Sequence, residues 1–306
     1  VARHGQLRLD GTQIVDESGA PYQLKGISTQ WLNFEGSFSR NGDNVIWMRD
    51  NWNLQLIRGA MGIETNGGYL ADAEYMTERL ETVVQNAIDA GVYVIIDWHD
   101  HNAHLNQAEA VDFFRRMAKK WGDYPHIIWE TFNEPTRADW VTELKPYHEA
   151  AVAAIRSADP DNLIVLGNPI WSQQPNAPAT TNAPVEGENL LYTLHFYACT
   201  HDASVRANGQ AALDAGFPVF VTEWGATTAD GGLPDPVTGA EGEPCEAEGQ
   251  EWMDWMNDNR ISWAAWRLQG CPDVTCILKG GSSYSGGWTE DDLHGHGPFV
   301  VRNLLD

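Results

Sequence analysis

Residues 72–99 read DAEYMTERLETVVQNAIDAGVYVIIDWH. Two periodicities meet in this stretch. Leu80, Val83, Val84, Ala87 and Ile88 recur at intervals of three and four, the spacing of one helix face. Asp72 stands where an N-cap belongs, because a short side-chain oxygen there can accept a free backbone N–H. Gly91 stands where the left-handed residue after a helix belongs. Val92–Asp97 then runs apolar and β-branched, as a strand covered on both faces does. The stretch therefore reads as helix, tight turn and buried strand, with Asp97-Trp98-His99 at the strand's end.

The same rhythm runs through most of the chain. Short runs at Leu24–Ile27, Leu54–Arg58, Val92–Asp97, Ile127–Phe132, Leu163–Leu166, Leu190–Phe196, Val219–Thr222 and Ile261–Trp266 read as strands. They recur about every 34 residues, the size of one βα unit. Ala108–Trp121 and Trp140–Ala158 read as helices, with Pro160 stopping the second. Eight such units predict a parallel (β/α)8 barrel, a TIM barrel of α/β class, with a doubly wound open sheet as the alternative. Ahead of them, Leu7 and Leu9, then Asp10-Gly11, then Ile14 and Val15 predict an N-terminal β-hairpin. No linker breaks the rhythm, so residues 1–306 are expected to form a single domain. Two long loops, Ala226–Gly249 and Arg267–Gly287, would both lie at the barrel's C-terminal face.

Composition narrows the partners. Asp and Glu number 43 against 19 Lys and Arg, a net charge of −24. Nucleic acids and anionic membranes attract basic surfaces, so neither is expected as a partner. No apolar run approaches the ~18 residues of a membrane span. Only five of the basic residues are Lys, against fourteen Arg. Acid excess with scarce Lys reads as a surface kept hydrated in salt, with ordinary acidic drift as the alternative. Val1–Gln6 lack the apolar core of a signal peptide, so the chain is cytosolic or its leader lies outside it. Cys271 and Cys276 share one loop and could close a short ring, leaving Cys199 with Cys245. Such disulfides would imply an oxidising compartment; four buried thiols are the alternative. Trp, normally the scarcest aromatic, occurs 14 times against 9 Phe and 9 Tyr. Most of these rings are expected in the core, although flat rings also suit the C–H faces of sugars.

Polar residues gather at the ends of the predicted strands. They include Arg58, His99, Asn133-Glu134, His195, Tyr197, Glu223 and Trp266. In a barrel these positions converge on one face, where active sites lie. Glu134 and Glu223 are the pair that matters most. Two carboxyls across a cleft are what glycoside hydrolysis needs, one protonated to release the leaving oxygen and one ionised to attack. A strand-end ion pair is the plain alternative for either one alone. His99 and His195 with Glu134 could also hold a metal, and His99 and His101 share a His-x-His spacing. No His-Glu-x-x-His motif or further ligand accompanies them, so no metal is expected. No glycine-rich nucleotide loop and no Gly-x-Ser-x-Gly elbow occurs, so no cofactor and no serine triad are expected.

These motifs resemble glycoside hydrolase family 5, and within it the bacterial endo-β-1,4-glucanases. The resemblance rests on Leu56-Ile57-Arg58, Asp97-Trp98-His99, Thr131-Phe132-Asn133-Glu134-Pro135, Leu194-His195-Phe196-Tyr197, Val221-Thr222-Glu223-Trp224-Gly225 and Ser262-Trp263-Ala264-Ala265-Trp266. It implies a secreted, monomeric, retaining enzyme with Glu134 as acid/base and Glu223 as nucleophile. Asn133 would hydrogen-bond the sugar 2-hydroxyl, and Arg58 and Tyr197 would orient Glu223. His99 and His195 would line the same subsite, and Trp266 would stack under the reacting sugar. Trp171 would serve the leaving-group side and Trp31 the other. The substrate implied is a β-glucan polysaccharide or cello-oligosaccharide. A β-mannanase or mixed-linkage glucanase on the same barrel is the alternative, and a noncatalytic carbohydrate-binding barrel a third reading. The chain departs from the pattern at Ser28-Thr29-Gln30-Trp31, at Gly62 in place of the usual Tyr, and at Arg267–Cys271, which lacks a Lys. All three touch the glycone side.

Overall fold

The computed structural model describes residues 1–64, 66–229, 231 and 242–306. Residues 230 and 232–241 of the predicted acidic loop lie outside them. Two short strands, β1 (Arg8–Asp10) and β2 (Gln13–Val15), form the expected antiparallel hairpin. Gly11 turns it with φ 60°, a conformation open to a residue without Cβ. Eight parallel strands follow: β3 (Lys25–Thr29), β4 (Leu56–Gly62), β5 (Tyr93–His99), β6 (Ile127–Glu130), β7 (Leu163–Leu166), β8 (Leu190–Tyr197), β9 (Val219–Gly225) and β10 (Trp263–Leu268). β10 hydrogen-bonds to both β9 and β3, so the sheet closes into a barrel and the open-sheet alternative falls.

The helices explain their own ends. In the helix Ala73–Ala90, the Asp72 side chain accepts the Tyr75 N–H, and Gly91 closes the last turn at φ 73°. Met76, Leu80, Val83, Val84 and Ala87 are its buried face, against the barrel's outer wall. The segment predicted as one helix over Trp140–Ala158 is instead two pieces. A widened π turn covers Trp140–Leu144, and an α-helix runs over Lys145–Arg156. Pro146, which has no N–H to give, stands at the start of the second piece.

The barrel interior changes character along its axis. Toward the N-terminal ends, Leu24, Leu56, Tyr93, Ile95, Ile128, Leu163, Val165, Leu191, Phe220 and Ala264 form one apolar cluster. Leu7 and Ile14 of the hairpin join this cluster, so the hairpin plugs the barrel floor. Toward the C-terminal ends, the inward positions turn polar. Several strands run further than their apolar stretches suggest. β5 continues through His99, β8 through Tyr197 and β9 through Gly225, so most of the polar residues sit inside the last turns of strands rather than beyond them.

Ten of the fourteen Trp side chains are buried, those at 98, 129, 224, 252 and 263 wholly so, as expected for core packing. Cys199 pairs with Cys245 and Cys271 with Cys276, so the alternative of four free thiols is discarded. Among the described residues, no helix is long and apolar enough to cross a membrane.

Candidate active site

Arg58, on β4, is wholly buried, and a guanidinium in such a place must be paired. It faces three carboxyls at once. Nε donates to Glu130 Oε2 at 2.7 Å, and Nη1 donates to Glu223 Oε2 at 2.9 Å. Nη2 meets Asp97 Oδ2 at 2.9 Å and Asn133 Oδ1 at 2.6 Å. Burial weakens the charged form, but these carboxylates outweigh it and raise Arg58 above its ordinary value. Its charge is therefore permanent. Tyr197 supplies the second grip on Glu223, its hydroxyl donating to Oε1 at 2.6 Å. Glu223 has one oxygen on a cation and the other on a phenol, so its lone pairs have fixed directions.

Glu134 is held by imidazoles. His195 Nδ1 lies 2.9 Å from its Oε1, and His101 Nε2 lies 3.5 Å from its Oε2. Hydrogen-bond accounting ties the state of His195 to that of Glu134. Thr222 gives its only hydroxyl proton to Glu130 at 2.6 Å, so it can only accept from His195 Nε2, 2.9 Å away. While Glu134 is a carboxylate it too can only accept, so both ring nitrogens carry hydrogen and His195 is a cation. Burial lowers its proton affinity, but Glu130 and Glu134 outweigh that and raise it to about 9. Burial likewise pushes Glu134 up, while His101 and His195 more than reverse it and hold the carboxyl below its usual range. His99 is the contrast. It bonds Asp97 Oδ2 through Nδ1 at 2.6 Å, and burial together with Arg58 drives it down to about 3, so it stays neutral.

One oxygen from Glu134 and one from Glu223 lie within 4.8 Å of each other, with His195 beside both. Both nitrogens of His195 are already engaged inside the protein. The two carboxyls open into a cleft of about 730 Å³ on the barrel's C-terminal face. Trp31, His99, His195, Tyr197, Trp171 and Trp266 line the same cleft. Arg58 and Asn133 do not line it; they lie beneath its floor and act through their neighbours. Trp266, at a cis peptide bond to Arg267, lies parallel to His99 with ring centres 5.4 Å apart. Trp171 is 45% exposed, on a short turn where Ile170, Trp171 and Ser172 all have positive φ. A run of three such residues is costly, and it aims an indole outward.

Gly62 has a packing reason to lack a side chain. A Cβ there would lie 2.2 Å from Asn33 Oδ1 and 2.9 Å from the Trp31 ring. The glycine lets Trp31 settle against the barrel mouth. The Arg267–Gly287 loop reaches the cleft as expected, through Arg267, Asp273 and Thr275.

Several partners are absent from the set that sequence reading singled out. Asp97, Glu130 and Thr222 complete the polar floor. Glu130 had a signal, since a charged residue inside an apolar strand run must have a buried partner. Glu64 and Asp100 form a second layer behind His101 and had no such signal.

A family model described as Cellulase (glycosyl hydrolase family 5) matches residues 15–271. The chain belongs to glycosyl hydrolase family 5. An endoglucanase from Clostridium saccharobutylicum is 39% identical over 304 residues, covering 98% of this chain and 65% of that relative. The chain thus spans about two-thirds of that relative's length. Among solved structures, the catalytic domain of an endoglucanase from Thermobifida fusca in complex with cellotetraose superposes with TM-score 0.91. It is 28% identical and the match covers 100% of this chain and 99% of that one. A family 5 cellulase from an Icelandic hot spring isolate, described as thermostable and highly halotolerant, gives TM-score 0.89 at 29% identity. That match covers 99% of this chain and 96% of the other.

Proposed function

We propose that this chain is the catalytic domain of a retaining endo-β-1,4-glucanase, with Glu223 as nucleophile and Glu134 as acid/base. The observation that carries the reading is the carboxyl spacing. An oxygen of Glu134 lies within 4.8 Å of an oxygen of Glu223, close to the shorter of the two separations glycosidases use. Retaining enzymes hold their carboxyls about 5–5.5 Å apart, and inverting ones about 6.5–9.5 Å.

The chemistry follows from the two environments. Glu223, ionised beside Arg58, attacks the anomeric carbon as the glycosidic bond breaks. Glu134 delivers a proton to the departing oxygen. A water then enters, gives its proton to Glu134 and releases the sugar from Glu223. Tyr197 and Arg58 keep Glu223 aimed through both steps. Trp266, Trp31 and Trp171 give a polymer three stacking platforms along an open cleft, with His99 supplying a polar contact near the reacting sugar.

The same proposal covers the setting. Two disulfides favour an oxidising, extracellular location. A net charge of −24 favours tolerance of concentrated salt and gives nucleic acids and anionic membranes no purchase. A monomer is the expected state.

The test is reducing-sugar release from carboxymethyl-cellulose, mixed-linkage β-glucan and galactomannan, with the Glu223→Gln protein as blank. Cleavage of carboxymethyl-cellulose that the variant abolishes is the expected result. Cleavage of galactomannan alone would move the substrate to mannan and direct attention to Gly62 and Ser28–Trp31.

A further inference from the structure

His201 lies four residues beyond Tyr197, in the segment after β8, and lines the cleft. The chain turns tightly there. The N–H groups of Thr200 and His201 both donate to the Tyr197 carbonyl, at 2.9 and 2.8 Å. The ring closes the turn from the other direction, because the Tyr197 N–H donates to His201 Nδ1 at 2.9 Å. The N–H groups of Ala198 and Cys199 donate to the carbonyls of Gly225 and Thr227, and Cys199 is bridged to Cys245. The turn is thus tied to the strand beside it.

The bond from Tyr197 decides the tautomer. A backbone N–H can only donate, so Nδ1 carries no hydrogen and offers its lone pair. A flipped ring would set a C–H against that N–H, so the orientation is settled as well. His201 is therefore neutral, with its one ring hydrogen on Nε2. Burial lowers its proton affinity in the same sense. Among the described residues, Nε2 has no hydrogen-bond partner. The partnerless ring nitrogens of His104, His126 and His294 are sealed from solvent, whereas His201 Nε2 is not. The barrel order gives its side of the cleft. β3, which precedes Trp31, stands four places from β7 in either direction round the barrel, and β8 is next to β7. Trp171 follows β7. The segments after β7 and β8 are joined where Asn208 Nδ2 donates to the Gln173 carbonyl at 3.0 Å. His201 and Trp171 share one side of the cleft, away from Trp31.

We infer that His201 is a substrate-binding residue for the departing sugar, a β-linked glucose unit, whose hydroxyl oxygen accepts the Nε2–H on the side where Trp171 offers an apolar face. The inference rests on the glucanase reading, with Glu134 beside the departing oxygen. A neutral donor of fixed tautomer suits an uncharged hydroxyl. The turn has already immobilised the ring, so binding orders only the sugar.

Two substitutions separate binding from mere support of the turn. His201→Asn keeps an acceptor where Nδ1 stands but loses the donor at Nε2. His201→Gln reaches the Nε2 position with an amide N–H but loses the acceptor. Each is compared with wild type in kcat and KM on two substrates. Any cut of cellotetraose leaves a sugar on the departing side, whereas β-cellobiosyl fluoride leaves that side empty. His201→Asn should lose about 5- to 10-fold in kcat/KM on cellotetraose, mostly through KM, as one neutral hydrogen bond does. It should lose less than about twofold on the fluoride, and His201→Gln should lose less than His201→Asn on cellotetraose. No loss for His201→Asn on cellotetraose, equal losses on both substrates, or a loss for His201→Gln as large as that for His201→Asn overturns the inference and leaves His201 a prop for Tyr197. A second readout needs no variant. Nitrogen chemical shifts of the wild-type His201 ring should report hydrogen on Nε2 alone at pH 7.5. An imidazolium or the Nδ1–H tautomer there overturns the inference while leaving the glucanase reading standing. Failure of wild type to cleave either substrate overturns the glucanase reading and this one with it.

Discussion

Glu223 and Glu134 are neighbours in space with opposite company. Glu223 leans on Arg58 and Tyr197. Glu134 leans on His101 and His195. A guanidinium does not give up its proton under any working condition, so its partner stays an anion. An imidazolium does, so its partner can be loaded and unloaded. The two carboxyls are alike as chemicals. What divides their work is whether the adjacent cation is permanent or exchangeable.

Substitution should reproduce that division. Glu223→Gln removes the proposed nucleophile, and turnover should fall on the order of 10⁴-fold or more, about 5.5 kcal/mol, on every substrate. Glu134→Gln should cost ~10²- to 10⁴-fold on cellotetraose but far less on an activated aryl glycoside. Equal losses on both substrates for Glu134→Gln would break the comparison. Arg58→Met leaves three buried carboxyls without their cation. It should lower unfolding stability by about 3–5 kcal/mol, read by urea denaturation, as well as activity. A fully stable Arg58→Met protein would mean that the floor carboxyls are protonated and the permanent-cation half of the comparison is wrong.

Smaller effects bound the rest of the site. Trp171→Ala removes an exposed platform that touches neither carboxyl. KM on long oligosaccharides should rise about fivefold, roughly 1 kcal/mol, with kcat nearly unchanged. A fall in kcat would tie the strained turn at 170–172 to the chemistry. Salt should do least. At ~2 M NaCl the Debye length is only a few ångströms, so surface repulsion is screened while the buried pairs are not. Activity should stay within about twofold, and loss of most activity would sink the salt-adapted reading.

Much of this arrangement was legible in the sequence, for a physical reason. Helix and strand periodicities are local, so Asp72, Gly91 and the run after it announced a βα unit unaided. Repeating that unit implied a barrel, and the barrel implied that Arg58, Glu134, His195 and Glu223 would converge. Strand ends were less legible. Apolar runs stop where the inward face turns polar, although the backbone ladder continues through His99, Tyr197 and Gly225. Pro146 divided a helix whose apolar spacing looked continuous. The second layer was not legible at all. Glu64 and His101 are 37 residues apart and meet only because the loops after β4 and β5 are neighbours on the barrel rim.

The most direct measurement is to trap the intermediate. The protein would be incubated with 2,4-dinitrophenyl 2-deoxy-2-fluoro-β-cellobioside, a substrate whose fluorine slows release of the sugar from the enzyme. Intact mass and peptide mapping would locate the label. The arrangement predicts one fluorocellobiosyl group per chain, esterified to Glu223, and none on the Glu223→Gln protein. A label on Glu134, or full turnover of cellotetraose with no label anywhere, would contradict it.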